Sequence, residues 1–243
     1  YSLARSGNRL VCTCEDMLTS HEELVSAWQV LQSVKTTNGL NSHDQWIHAA
    51  VGFGVGEREI RDATDDWLVA DYLMRNTDRH YNNFGLIRDI ETLEVRPAPI
   101  YDTGASLWSG ELDVDGRDWF AKPFYTATGK PSALRQLRLV EDWSRFDLDA
   151  LSDWPDEAAH ELSRMRMFAP ERLDAIRDQL AKRIGTIRGI RESKALRASG
   201  PIRNRADLLD RFGDTLRKNL ARQDGDGKSA GIDYKGPRHH MGH

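Results

Sequence analysis

The sequence predicts an α+β fold that is mainly helical, with a short β-hairpin at its N-terminal edge. Three observations predict it. Strand-like alternation runs from Tyr1 to Cys14 around Ser6-Gly7-Asn8, a strong turn signal. Apolar residues at helical spacing recur through most of the remaining chain. Between the best helix of the first half and a predicted small hairpin lies a polar segment, Asn76 to Asn83, which suits a loop presented by rigid elements. With 243 residues, 39% hydrophobic and 30% charged, the chain can bury a sizeable core. No apolar run is long enough to span a bilayer, and no basic-then-apolar leader opens the sequence.

After the first hairpin, Thr19 or Ser20 can cap a short helix that opens with Glu22 and Glu23 and carries Leu24, Val25, Trp28 and Leu31. A polar loop over 36–42 comes next, then a short helix from Asp44 to about Val51, ended by Gly52-Phe53-Gly54-Val55-Gly56. That glycine-rich run lacks a following Lys-Ser/Thr and leads into an acidic helix start. It reads as a connector and not as a phosphate loop. Glu57 to Arg75 is the best helix of this half, with Ile60, Ala63, Trp67, Leu68 and Met74 on one face and acids in its first turns. Phe84–Arg88 and Leu93–Arg96 read as a hairpin with its turn at 89–92. Beyond an irregular stretch with Gly104, Gly110 and Gly116, helices are expected at about 132–143, 155–167, 170–193 and 204–222. Pro170 opens the third, and Leu173, Ile176, Leu180, Ile184 and Ile187 form its stripe. From Gln223 onward there is no periodicity, and the sequence predicts a disordered tail.

The two cysteines, Cys12 and Cys14, share one face of a strand, so a disulfide framework is not expected. A zinc site would have only His21 nearby as a further ligand; half-buried thiols in a reducing, cytoplasmic setting are the simpler reading. Charge is uneven. Residues 1–160 hold 15 basic and 27 acidic side chains, a net of −12, while 161–223 hold 16 and 8, a net of +8. A basic region of this kind suits RNA, DNA or an acidic protein, but solvated helix faces, partly paired with acids at helical spacing, are the better reading.

The chemistry sits in Asn76-Thr77-Asp78-Arg79-His80-Tyr81-Asn82-Asn83 and Ile100-Tyr101-Asp102-Thr103-Gly104. An acid, an amide five residues on and a later acid make up the floor of a phosphoryl-transfer site. One carboxylate orients the attacking hydroxyl, while an amide oxygen and the second carboxylate hold the metal ions that screen the phosphates. Asp78 takes the first role; Asn83 and Asp102 take the second. Asn82 competes with Asn83, and the offset of five selects Asn83. Each has a plainer reading, Asp78 as a helix-end acid and Asp102 as an Asx-turn residue. His80 is expected to bond backbone and fix the loop. Asp71, on the helix stripe, and Asn76 either support the loop, Asp71 through its backbone N–H groups, or face solvent.

These residues resemble the HipA-like kinases, serine/threonine kinases with a diverged protein-kinase-like fold. The specific part is Asn-x-Asp-Arg-His-x-x-Asn-x-Gly at 76–85 and Pro-x-Tyr-Asp at 99–102; Asp71-Tyr72-Leu73 fits, and the helices after Lys122-Pro123-Phe124 fit more weakly. The resemblance implies ATP and Mg²⁺ as cofactors and a protein hydroxyl as acceptor. It implies a kinase-like C-lobe over 16–200, preceded at 1–15 by the end of the N-lobe and a hinge, where Cys14 and Glu15 face the adenine. A C-terminal helix over 201–222 and the tail over 223–243 complete the organisation. No strand-borne lysine or phosphate-covering loop lies upstream, and the chain starts without Met inside a strand. Residues 1–243 are therefore expected to bind ATP weakly and transfer phosphate poorly by themselves, with the N-lobe supplied by a longer chain or a partner. An antitoxin-like partner is implied by the resemblance alone. Rival readings are a pseudokinase-like binding module, a sugar- or aminoglycoside-type kinase sharing the offset of five, and a metal-dependent phosphohydrolase using Asp78, His80 and Asp102.

Overall fold

The computed structural model describes residues 2–6, 9–35, 39–124 and 131–198. The helix expected at 204–222, the tail from 223, and Gly7-Asn8 of the first turn lie outside the described residues. The chain divides into two compact units, Tyr1–Glu192 and Ser193–His243; in the second, the described residues to Ala198 are helical.

Strands β1 (Ser2–Ser6) and β2 (Arg9–Thr13) pair antiparallel, with Ser2 opposite Thr13 and Ser6 opposite Arg9. The segment expected to open a helix at Glu22 is instead strand β3 (Glu22–Ser26), the outer strand of a three-stranded antiparallel sheet with β4 (Gly85–Asp89) and β5 (Val95–Pro97). Helix α1 (Ala27–Ser33) begins only after it. Ser26 and Gln29 form a capping box, each satisfying the other's backbone N–H, and this sets the helix start at Ala27. Upstream, the backbone bonds go to β4, and Glu23 pairs with Arg88 while Glu22 reaches Arg96. The pairing requires a glycine opposite Ser26: a Cβ on Gly85 would collide with the Val25 carbonyl oxygen. The β4–β5 turn is held by Asp89, whose Oδ1 accepts the N–H groups of Glu91 and Thr92.

Helix α2 (Ser42–Phe53) is capped by Asn41 and stopped by Gly54, whose φ of 121° favours glycine. Helix α3 (Glu57–Met74) runs through the core. Its Trp67, with Trp46 of α2 and Phe84, forms an aromatic cluster with centroids 5.1–6.2 Å apart. The Trp46 indole N–H donates to Thr64 Oγ1 at 3.1 Å, which satisfies the polar edge of a fully buried ring.

The helix expected over 132–143 is only α4 (Ala133–Leu137), followed by a turn and a 3-10 segment at Trp143–Arg145. A distant residue decides this. The buried carboxylate of Asp65 on α3 accepts the N–H groups of Glu141 and Asp142 at 2.8–3.0 Å, so those donors are committed outside any helix. Helix α5 (Trp154–Arg164) ends slightly earlier than expected, and α6 (Pro170–Ala198) starts at its proline and runs past 193. A second small apolar cluster joins Trp108 to Ile176 and Leu180 of α6.

Burial pushes the Asp65 carboxyl above its ordinary pKa, and the Asp142 and Glu141 N–H groups oppose that rise. Asp65→Ala strands both donors, and a loss of about 2–3 kcal/mol is expected in urea unfolding at neutral pH. A change below about 0.5 kcal/mol would show that water replaces the carboxylate at no cost.

Candidate active site

The loop after α3 starts at Arg75, which closes the helix in the left-handed region (φ 56°) and turns the chain back under Asp71. Asp71 is largely buried and organises the loop. Its Oδ2 accepts Arg79 Nε and its Oδ1 accepts Arg79 Nη2, both at 2.8 Å, in a two-pronged fork; Oδ1 also accepts the Asn76 amide N–H at 2.8 Å. The third arm of the same guanidinium, Nη1, donates to the carbonyls of Asn83 and Tyr101. One buried arginine thus binds α3, the end of the 76–83 loop and the residue before Asp102.

Asn76 is buried, and its Oδ1 accepts the Asp78 N–H at 3.1 Å. The solvent-facing alternatives for Asp71 and Asn76 are therefore excluded. Asp71 also differs from expectation in its partners, which are side chains; the loop N–H that needed an acceptor is taken by Asn76. Asp78 itself projects with its side chain 57% exposed, in reach of an incoming hydroxyl. His80 Nδ1 accepts the Asn82 N–H at 3.2 Å, which places the ring proton on Nε2, 3.9 Å from Asp78 Oδ2.

The two amides differ sharply. Asn83 is buried and its Nδ2 donates to the Asp78 carbonyl at 3.0 Å, which orients the amide and leaves Oδ1 as its acceptor for a cation. Asn82 is exposed and contributes its carbonyl, which accepts the Tyr101 hydroxyl at 3.0 Å. Asp102 is exposed and held at φ 50°, a conformation Asp tolerates better than most residues. Its segment meets the Asn83 segment at Arg79 Nη1 and again at the Tyr101–Asn82 bond.

Cys14 and Glu15 line an open cleft of about 1100 Å³ with Thr13, Asp16 and Met17, opposite Pro99, Ile100 and Tyr101. The cleft therefore ends at the residue preceding Asp102. Cys14 is an exposed free thiol, and His21 pairs with Glu91 at 3.0 Å. Among the described residues no group of three or more His, Cys, Asp or Glu is arranged to hold a metal ion. A cation bound by Asn83 and Asp102 would be a hard one with oxygen ligands, completing its shell from phosphate and water. That donor set fits Mg²⁺ and gives no support to a transition-metal phosphohydrolase.

Sequence reasoning missed Arg79 and Trp119. Arg79 stands inside the quoted motif, and the signal was an arginine eight residues from a stripe-embedded aspartate. Trp119, whose indole N–H donates to the Asn76 carbonyl at 3.3 Å, carries no local sign of that role.

No family model matches the chain. A stretch of 111 residues, 44% of this chain and 34% of the relative, is 29% identical to the serine/threonine-protein kinase CtkA of Helicobacter pylori (strain J99 / ATCC 700824). The crystal structure of a Helicobacter pylori proinflammatory kinase CtkA superposes with a TM-score of 0.58 over 81% of this chain and 80% of that one, at 19% identity. Over the 111-residue stretch the chain resembles a serine/threonine-protein kinase. The solved structure shows a shared fold, and the sequence match spans about a third of the curated relative's length. Among the described residues no helix is long and apolar enough to cross a membrane.

Arg79→Met leaves Asp71 buried without its fork and is expected to cost about 3–5 kcal/mol in denaturant unfolding. Burial pushes the Tyr101 hydroxyl up to about 12, Asp102 adds to the rise and Arg79 opposes it. A folded value above the unfolded 10.0 means that this contribution is present below pH 10 and lost as pH rises through about 12. Tyr101→Phe should remove that part of the alkaline destabilisation, read as the difference between the two proteins' unfolding curves across that window; identical slopes would refute it.

Proposed function

We propose that this chain carries the catalytic lobe of a serine/threonine protein kinase, which transfers the γ-phosphate of ATP to a protein hydroxyl. The observation that carries the reading is Arg79, whose guanidinium gathers the backbone of Asn83 and Tyr101 around Asp71 and so brings an amide and a carboxylate of the right chemistry to one loop cluster. Asp78 accepts the proton of the acceptor hydroxyl or orients it, and its exposure suits an acceptor that arrives as a macromolecule. The His80 Nε2 lies 3.9 Å from that carboxylate. Asn83 Oδ1 and Asp102 would hold Mg²⁺; when bound, the ion supplies charge neutralisation at the phosphates. Cys14 and Glu15 are proposed as hinge residues, whose backbone lines the cleft against the adenine. An N-lobe, whether from the same gene product or a partner, would cover the phosphates from above, and an antitoxin-like partner is part of the same reading.

The roles separate in titrations of nucleotide with and without Mg²⁺, run beside transfer of labelled phosphate in the full gene product. Asp78→Asn is expected to lower transfer by about 100-fold or more while Mg·ATP binding holds. Asp102→Asn and Asn83→Ala weaken binding in a magnesium-dependent way, and Asn82→Ala is mild. Metal-dependent binding that survives Asp102→Asn would sink the assignment, and Asn82→Ala as the damaging change would move the register by one.

A further inference from the structure

Two arginines are buried against the same pair of indoles. The Arg75 guanidinium lies 5.1 Å from the Trp108 ring and 5.5 Å from Trp119; that of Arg183 lies 5.0 and 4.5 Å from them and 5.4 Å from Tyr72. Arg75 pairs with Glu111. Arg183 has no carboxylate partner among the described residues; its Nη1 donates to the Tyr72 carbonyl at 3.1 Å, and its buried Nε has no hydrogen-bond partner. Of these two buried guanidinium groups, only Arg75 is ion-paired among the described residues. Cation–π contacts with the rings offset only part of the cost of desolvating an unpaired ion. Burial pushes the Arg183 pKa down to about 10, with Arg75 adding to the fall and Tyr72, Asp115 and Asp118 opposing it.

Arg183 borders a cavity of about 320 Å³ that Arg117, Lys182, Gln179 and Thr186 also line. Its single lining carboxylate, Asp118, already accepts the Leu134 N–H at 3.1 Å. Arg117 pairs with Asp115, but its side chain is 85% exposed, and a surface pair of that kind holds it weakly. We propose that this cavity binds an oxyanion of the phosphate class, held by Arg183, Lys182 and Arg117 with the Gln179 amide beside them; the Thr186 hydroxyl is already given to the Lys182 carbonyl at 3.0 Å. Three cations face two carboxylates, Asp118 committed to a backbone N–H and Asp115 to Arg117, and the surplus of positive charge favours a dianion over a monocarboxylate. The consequence for the candidate active site is direct, because Trp119, one wall of the cavity, also bonds the Asn76 carbonyl, and Arg75 is the residue before Asn76. The proposal stands independently of the phosphotransfer reading.

The test titrates the whole chain with inorganic phosphate or with O-phosphoserine, in EDTA at constant ionic strength, following tryptophan fluorescence and thermal midpoint. EDTA removes any metal-dependent phosphate binding at Asp102. A saturable response is expected, with a rise in midpoint. Tighter binding of phosphoserine would identify the ligand as a phosphorylated side chain, and equal or weaker binding would identify free phosphate. Arg117→Gln with Lys182→Gln should weaken either ligand by roughly tenfold. Both residues are exposed, so the double variant should melt normally without phosphate. The proposal is overturned if no saturable response is found, if chloride at matched ionic strength reproduces it, or if the double variant binds as tightly as the parent.

Discussion

The fork between Asp71 and Arg79 is the contact on which the rest of the candidate site depends. Helix α3 supplies a carboxylate from its apolar stripe, and a carboxylate there is tolerable only if paired and hydrogen-bonded. Arg79 meets that requirement with two donors and has a third arm left over, which it gives to two carbonyls from different segments. A lysine has neither the planar fork nor the reach to do both. The same constraint positions Asn76, whose amide is shared between Asp71 and the Asp78 N–H. Asp78, Asn83 and Asp102 are placed by an ion pair that none of them joins.

Much of the positive charge in the C-terminal half is spent in the same way, on carbonyls and nearby acids. Arg172 donates to the carbonyls of Trp108, Glu111 and Leu112; Arg188 bonds Leu148 and Asp149; Arg177 pairs with Asp174 and Asp178. Arg172 and Arg188 tie α6 to the irregular segments packed on it, where few backbone groups find partners in regular structure, while those two Arg177 pairs stay within α6. The described part of the basic stretch thus has an internal use that its net charge conceals. Arg183 stands apart, buried in an aromatic box with no acid of its own.

The misread segments share a cause. Glu22 to Ser26 has helix-forming acids and leucine, and nothing local contradicts a helix; the decision comes from β4, some sixty residues later, and from Gly85, the residue that lets the strands approach. Residues 138–143 likewise have helical composition, and the N–H groups of Glu141 and Asp142 are drawn off by Asp65. By contrast Pro170, Asn41 and Gly54 acted where they stand, because caps and breakers work through their immediate neighbours.

The sequence by itself determined the mixed, mainly helical class, the first hairpin, the long helices and the acid–amide–acid order of the candidate site. Those depend on periodicity, turn chemistry and spacing, which are local properties of a chain. Only the tertiary structure decided which amide is buried, which strand completes the sheet, and that Asp71 is answered by a side chain. Partners of buried charges and of open strand edges are chosen by proximity in space, and a sequence records proximity only along the chain.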